Sequence, residues 1–352
     1  MPYPDRRTLL LALALCLVGV PALAQGGGEQ GLDWLKLIMS SIGGLALFLL
    51  GVSEMASGLG CVAGGRVERW LHGATNGPIR GLATGVAATT VLDSSSVTII
   101  LLIGLVDSGL LNFAAALPVI LGSNIGTTVS SQVFALGVDD YAPVALAGGL
   151  LVRAFVKNEK VRGWGQVVAG IGLILFGLNI LGDAMEPLKE HPGIVEWLRA
   201  TETPLRGVLI GAVFTLLIQS SSATLGVVIT MAGQGIIDLP TGLAMMLGAE
   251  IGTCSDTLIA TIGRSRAAVR AGLFHLGFNL ITVAVGVALI GPLAALASWT
   301  SSETQHQIAN AHVAFNVIGA LAFLWITPLC ARLLERLVPE RGDGAKAEKA
   351  PA

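Results

Sequence analysis

The chain has 352 residues, 53 % of them apolar and 12 % charged, with a net charge of −2. A soluble domain carries about 25 % charged residues, and several runs here reach the roughly 20 charge-free residues that a bilayer crossing needs. The composition excludes an ordinary soluble protein and indicates an all-α polytopic membrane protein, in which the placement of charge matters more than its sum.

Arg6 and Arg7 precede the apolar stretch from Leu9 to Val20, and Pro21 with Ala22-Leu23-Ala24 before Gln25 reads as a small-residue cleavage site. Residues 1–24 are expected to be a signal peptide, with an uncleaved first helix as the alternative. The cysteines stand singly at Cys16, Cys61, Cys254 and Cys330, without metal spacing, and read as small hydrophobes.

The next apolar stretches lie at 32–59, 81–106, 111–137 and 141–156, then at 163–185, 205–231, 236–262 and 268–292, with one more at 307–331. A shift of 126 positions superposes the first set on the second. Gly44 and Gly51 fall on Gly170 and Gly177, Arg80-Gly81 on Arg206-Gly207, Ser94-Ser95-Ser96 on Ser220-Ser221-Ser222, and Ile125-Gly126-Thr127 on Ile251-Gly252-Thr253. Such a register predicts one repeat written twice, 32–156 and 163–292, followed by an extra transmembrane helix at 307–331 and a cytoplasmic tail at 332–352.

Stretches 81–106 and 205–231 are each interrupted midway by polar residues. The apolar run before each break, at about 1.5 Å per residue, reaches only the middle of a core about 30 Å thick. They are therefore predicted to be re-entrant hairpins, which need protein or a wet cavity around their tips. With hairpins, each repeat crosses the membrane three times, so the second copy is inverted. Charge agrees. A periplasmic mature N-terminus places Arg66, Arg69, Arg80, Arg153, Lys157, Lys160, Arg162, Arg264, Arg266, Arg270 and the tail's Arg332, Arg336, Arg341, Lys346 and Lys349 in the cytoplasm. Only Lys36, Lys189, Arg199 and Arg206 fall outside, as the positive-inside rule requires.

Polar residues at the membrane midplane are costly and usually functional. Two blocks are placed there, Asp93-Ser94-Ser95-Ser96-Val97-Thr98 and Gln219-Ser220-Ser221-Ser222-Ala223-Thr224. In each, an ascending half-helix offers free N–H groups to an anion. The descending half-helix ends in free carbonyls that suit a cation. Structural serines bonded to backbone are the bland alternative. His275, Asn279, His312 and Asn316 repeat an H-x-x-F-N pattern and are expected to bond between helices rather than to ligate. No G-x-x-x-x-G-K-[ST] sequence occurs, which argues against ATP-driven transport, and no nucleophile elbow or metal motif points to an enzyme.

The Gln219–Thr224 tip and the block Gly122-Ser123-Asn124-Ile125-Gly126-Thr127-Thr128 resemble the type II sodium–phosphate cotransporter family, as do His275-Leu276-Gly277-Phe278-Asn279 and Ala311-His312-Val313-Ala314-Phe315-Asn316. The resemblance covers roughly residues 40 to 330. Bacterial relatives often append a domain similar to the PhoU fold; a short charged tail is expected here instead. The resemblance implies symport of inorganic phosphate with Na⁺ across the inner membrane, with both tips, Asn124, Thr127, Thr128, Glu250, Thr253 and Asp256 as candidate substrate or ion ligands. Two positions depart from the family pattern: Asp93 stands for a glutamine and Glu250 for an asparagine. Each carboxylate must bind the coupling cation, carry a proton or reflect a changed substrate, so proton coupling, an altered anion and a non-transporting sensor stay open. The expected partners are phosphate, Na⁺ and membrane lipid, with no cofactor and no nucleic acid; a homodimer is left open.

Overall fold

The computed structural model describes residues 34–63, 77–136, 141–190 and 203–340. The expected signal peptide, and residues 341–352 of the expected tail, lie outside the described residues, as do Arg66, Arg69 and Arg199 of the charge argument. All regular structure among the described residues is helical. The helices are α1 (Trp34–Ala63), α2 (Pro78–Leu92), α3 (Ser95–Asp107), α4 (Phe113–Phe134), α5 (Ala142–Phe155), α6 (Glu159–Met185), α7 (Pro204–Ile218), α8 (Ser221–Gly233), α9 (Leu239–Gly252), α10 (Cys254–Ile259), α11 (Arg266–Ala288), α12 (Ile290–Ser298), α13 (Thr304–Leu324) and α14 (Thr327–Leu337). Among the described residues five stretches are long and apolar enough to cross a membrane: those of α1, α4, α6, α11 and α13.

The 126-residue register recurs in the backbone. α2 and α3 have the same bounds as α7 and α8 after that shift, and α4 begins where α9 does. The turns repeat too: Asp93 and Gln219 are left-handed at φ 50° and 57°, and Gly109 and Gly235 at φ 74° and 69°. Both turns are followed by an N-cap, Asn112 accepting from the Ala114 N–H and Asp238 from the Thr241 N–H. The copies differ after this point. α4 runs unbroken to Phe134, whereas its counterpart is interrupted at Thr253 into α9 and α10.

The equivalent helices α1 and α6 pack against each other in opposite directions. Gly44 meets Gly177, Gly51 meets Gly170 and Gly58 meets Gly163. A side-chain carbon at Gly51 would lie 2.5 Å from the Ile174 nitrogen, so the absence of a side chain is what lets these backbones touch. Within each copy the first hairpin helix packs on the long helix that follows. A carbon at Gly122 would come 2.0 Å from the Leu82 carbonyl oxygen, and one at Gly248 equally close to that of Val208. Gly122→Val is therefore expected to cost about 3 kcal/mol or more of stability, read as a fall in the thermal unfolding temperature of the detergent-solubilised protein. A temperature equal to that of the parent chain would mean that α2 and α4 can part freely.

The stretch expected as a single span at 307–331 comes as two helices, α13 and α14, separated at Trp325-Ile326. Pro328 lies in the first turn of α14; without an N–H it cannot bond back to α13, and its ring forces a new start. α13 packs on α4, α8 and α9, and α11, within the second copy, on α3, α4 and α9, so each of these helices contacts elements of both copies.

Candidate functional site

Each hairpin turns on a polar corner of the same construction. α2 ends at Asp93, and Ser94 leads into α3 with extended backbone at φ −156°. Ser94 Oγ accepts from the Val97 N–H at 3.2 Å. In the second copy Ser220, at φ −151°, accepts from the Ala223 N–H at 3.1 Å. The threonines brace the corners. Thr89 donates to Thr98 at 2.9 Å, and Thr98 to the Ser94 carbonyl at 3.0 Å. Thr215 donates to Thr224 at 2.7 Å, and Thr224 to the Ser220 carbonyl at 3.1 Å. A non-glycine residue in the left-handed region costs roughly 1–2 kcal/mol, and both copies keep one at the same place.

The two corners line one cavity of about 600 Å³, with Asp93-Ser94-Ser95-Ser96 from one copy and Gln219-Ser220-Ser221-Ser222 from the other. α1 completes the wall with Ser53, Ser57 and Cys61. These three were not expected from sequence, although two serines four apart in an apolar helix mark one face. Among the described residues no lysine or arginine lines the cavity. Its donors are hydroxyls, the Gln219 amide and the N–H groups of the first turns of α3 and α8, which have no partner within their own helices.

Among the described residues Asp93 is the one carboxylate in that wall. It is buried; its Oδ1 accepts from the Ser130 hydroxyl, while Oδ2 is buried without a hydrogen-bond partner. Asp256 is tied to the wall indirectly, accepting from Ser96 Oγ at 3.1 Å. This contact joins the first copy's corner to α10 of the second.

The other expected ligands lie outside the cavity wall. Asn124, Thr127 and Thr128 are buried in α4 and donate to carbonyls of that helix at 3.2, 2.7 and 2.8 Å. Thr253 donates likewise to the Ala249 carbonyl at 2.9 Å. Thr98 and Thr224 serve the braces described above. Glu250 is buried in a separate polar cluster: Oε1 lies 2.9 Å from His312 Nε2 and accepts from Asn316 Nδ2 at 2.9 Å. His275 and His312 therefore bond between helices, His312 with a carboxylate that spacing alone could not have paired with it.

The model of the Na⁺/Pi-cotransporter family matches residues 47–183 and 192–324. The chain is 31 % identical over 307 residues to the YqeW protein of Bacillus subtilis (strain 168), covering 87 % of this chain and 100 % of that one. It is 26 % identical over 307 residues to YjbB of Salmonella typhimurium, a protein named for inorganic phosphate export, covering 87 % of this chain and 56 % of that one. It is 34 % identical over 183 residues to the sodium-dependent phosphate transport protein 2A of Rattus norvegicus, covering 48 % of this chain and 28 % of that protein. No solved structure matches. The chain is a multi-pass helical protein belonging to the Na⁺/Pi-cotransporter family.

Proposed function

We propose that this chain is a secondary transporter that moves inorganic phosphate together with Na⁺, binding both in the cavity between its two serine corners. The observation that carries this reading is the convergence of Ser94–Ser96 and Ser220–Ser222 on one cavity that, among the described residues, has no cationic side chain in its wall. Neutral donors can hold a phosphate whose charge is balanced by cargo cations. The unpartnered Asp93 Oδ2, beside the carbonyl end of α2, is then the cation's anchor. Moving one charge through 100 mV is worth about 2.3 kcal/mol, so a divalent phosphate entering a negative cell costs about 4.6 kcal/mol, and co-transported Na⁺ offsets it.

In this reading the copies are inverted repeats, α2–α3 and α7–α8 are re-entrant hairpins from opposite faces, and the site is reached by alternating access. The antiparallel seam between the equivalent helices α1 and α6 supports inversion. Exposed tryptophans fit the ends of the spans in this reading: Trp34 and Trp299 would lie at the outer face, Trp164 and Trp325 at the inner. The Asp107–Arg264 ion pair at 3.4 Å joins the base of the first hairpin to a predicted cytoplasmic loop.

The decisive experiment is radiolabelled phosphate transport in proteoliposomes with Na⁺ and pH gradients imposed separately. Accumulation driven by Na⁺ is expected; a chain that moves no phosphate under either gradient overturns the proposal. Cys61 tests the sidedness. It is exposed in the cavity wall near the inner end of α1, whereas Cys254 is buried. A membrane-impermeant thiol reagent is expected to label Cys61 from the cytoplasmic side, and phosphate with Na⁺ to slow that labelling. Labelling from the outer side alone would reverse the assigned orientation.

A further inference from the structure

Glu250 and His312 lie apart from the cavity, in the packing of α9 against α13, and their hydrogen bonds can be counted proton by proton. Ser131 Oγ is 2.7 Å from the Thr128 carbonyl oxygen, which can only accept, so the hydroxyl proton is directed there. Ser131 Oγ is also 2.9 Å from His312 Nδ1. With its proton placed there, Ser131 accepts, and His312 takes the tautomer with hydrogen on Nδ1. His312 Nε2 then faces Glu250 Oε1 at 2.9 Å. A neutral imidazole with hydrogen on Nδ1 has a bare Nε2, and a carboxylate has only lone pairs. Two such atoms at hydrogen-bond distance repel each other unless a proton lies between them.

Asn316 cannot supply it. Its Nδ2 donates to Glu250 Oε1 at 2.9 Å and to the His312 carbonyl at 3.1 Å, which uses both amide hydrogens without placing one between acid and imidazole. Both members are buried, with side chains 8 % and 1 % exposed. An unneutralised carboxylate at such a place in a membrane protein is costly. With one shared proton the pair is net neutral, whether written as acid and imidazole or as carboxylate and imidazolium.

The surrounding elements offer no other counter-charge to this carboxylate. α9 packs on α7, α8, α10, α11, α12 and α13. Their titratable groups are Arg206 on α7, Cys254 and Asp256 on α10, Arg266, Arg270 and His275 on α11, and His306 with His312 on α13, while α8 and α12 have none. α4, which supplies Ser131, has none either. Arg270 is paired with Glu340 at 2.8 Å, His306 with Glu303 at 3.0 Å, and Asp256 accepts from Ser96. Cys254 Sγ donates to the Glu250 main-chain carbonyl, and His275 reaches that same carbonyl only through Asn279.

The histidine of α11 provides an internal comparison. At the position equivalent to Glu250 stands Asn124, and at that of Ser131 stands Thr257. His275 Nδ1 lies 2.9 Å from Thr257 Oγ1, whose proton goes to the Cys254 carbonyl, and His275 Nε2 accepts from Asn279 Nδ2 at 3.0 Å. That histidine is neutral and fully bonded without any carboxylate. The packing therefore does not require an acid here, and Glu250 adds a proton-binding group to a framework that stands without one.

From this geometry we infer that Glu250 and His312 hold one shared proton in a site separate from the serine cavity, and that transport by this chain depends on its occupancy. The site joins α9 of the second copy to α13, and through Ser131 to α4 of the first. Any motion that draws α9 from α13 breaks the bond and frees the proton to leave.

The proton itself is the probe. The full chain, with ¹⁵N-labelled histidine in lipid nanodiscs, is compared with Glu250→Gln at neutral pH. His312 Nε2 and Asn316 Nδ2 both meet Oε1, so glutamine, which offers either a carbonyl oxygen or an amide nitrogen at that place, keeps the size of the side chain and removes its titrating group. Nitrogen NMR is expected to find His312 protonated at Nδ1. The shared proton is expected either on Nε2 or as an infrared band of a protonated carboxyl, and Glu250→Gln removes that signal. In proteoliposomes, the ratio of parent to Glu250→Gln transport is expected to vary with pH, a ratio in which the ionisation of phosphate cancels. An ionised carboxylate beside a neutral His312 in either tautomer, or a ratio constant across about pH 5 to pH 8, overturns the inference. The spectroscopic arm needs no transport, so its failure is distinguishable from failure of the sodium–phosphate reading.

Discussion

Replacing Asp93 by asparagine is expected to raise the Na⁺ concentration for half-maximal phosphate transport by about 10- to 100-fold. Losing an interaction to a charged group costs about 1.5–3 kcal/mol, and each 1.4 kcal/mol is a factor of ten. The geometry argues for so large an effect. Oδ1 is tied to Ser130, which fixes the carboxylate, and Oδ2 is buried with no partner. A buried carboxylate oxygen left in that state is unfavourable, and a bound cation removes the penalty. Asparagine keeps the shape and the Ser130 bond but loses the charge, so folding is expected to survive. The equivalent residue in the second copy, Gln219, is neutral; a cation site at Asp93 has no acidic counterpart there, and Gln219→Asn should leave the Na⁺ dependence near that of the parent chain. Transport measured against Na⁺ at fixed phosphate reads both variants. If Asp93→Asn flattens the pH dependence and leaves the Na⁺ dependence intact, Asp93 carries a proton instead. If it changes neither, Asp93 is a structural partner of Ser130.

The corners were legible in the sequence because they break a strong rule. Serine triplets within otherwise apolar runs have no place in a simple membrane helix, and their recurrence at a fixed shift marked both at once. The structure brings those eight residues to one cavity. Asn124, Thr127, Thr128 and Thr253 were drawn in by the family resemblance; they donate to carbonyls of the preceding helical turn. Resemblance identifies equivalent positions but not the direction in which a side chain points. The Glu250–His312 contact was not legible, since it joins residues 62 apart on helices whose packing no local period encodes. The division of the expected span at 307–331 was readable in principle from Pro328, because proline in a first turn marks a new helix. Its apolar neighbours Ile326 and Leu329 instead made the stretch look continuous.

The double replacement Ser95→Ala with Ser221→Ala is expected to weaken phosphate binding by about 100- to 10,000-fold, and each single change by about 10- to 100-fold. These serines open α3 and α8, one from each copy, and both line the cavity. Neither caps its helix; that task falls to Ser94 and Ser220. Alanine is a good helix former, so the substitutions should leave both corners folded, and thermal unfolding of the variants should match the parent chain. What is lost is a hydroxyl donor toward a charged guest that has left its water behind, worth about 1.5–3 kcal/mol apiece. The two losses should add if the phosphate touches both corners at once, because the residues belong to different helices and share no hydrogen bond. Phosphate binding measured by calorimetry on the singles and the double forms a closed cycle. A double variant no weaker than the worse single would mean that phosphate contacts one corner only. Parent-like affinity in all three would make the serine corners structural and remove the cavity as the phosphate site.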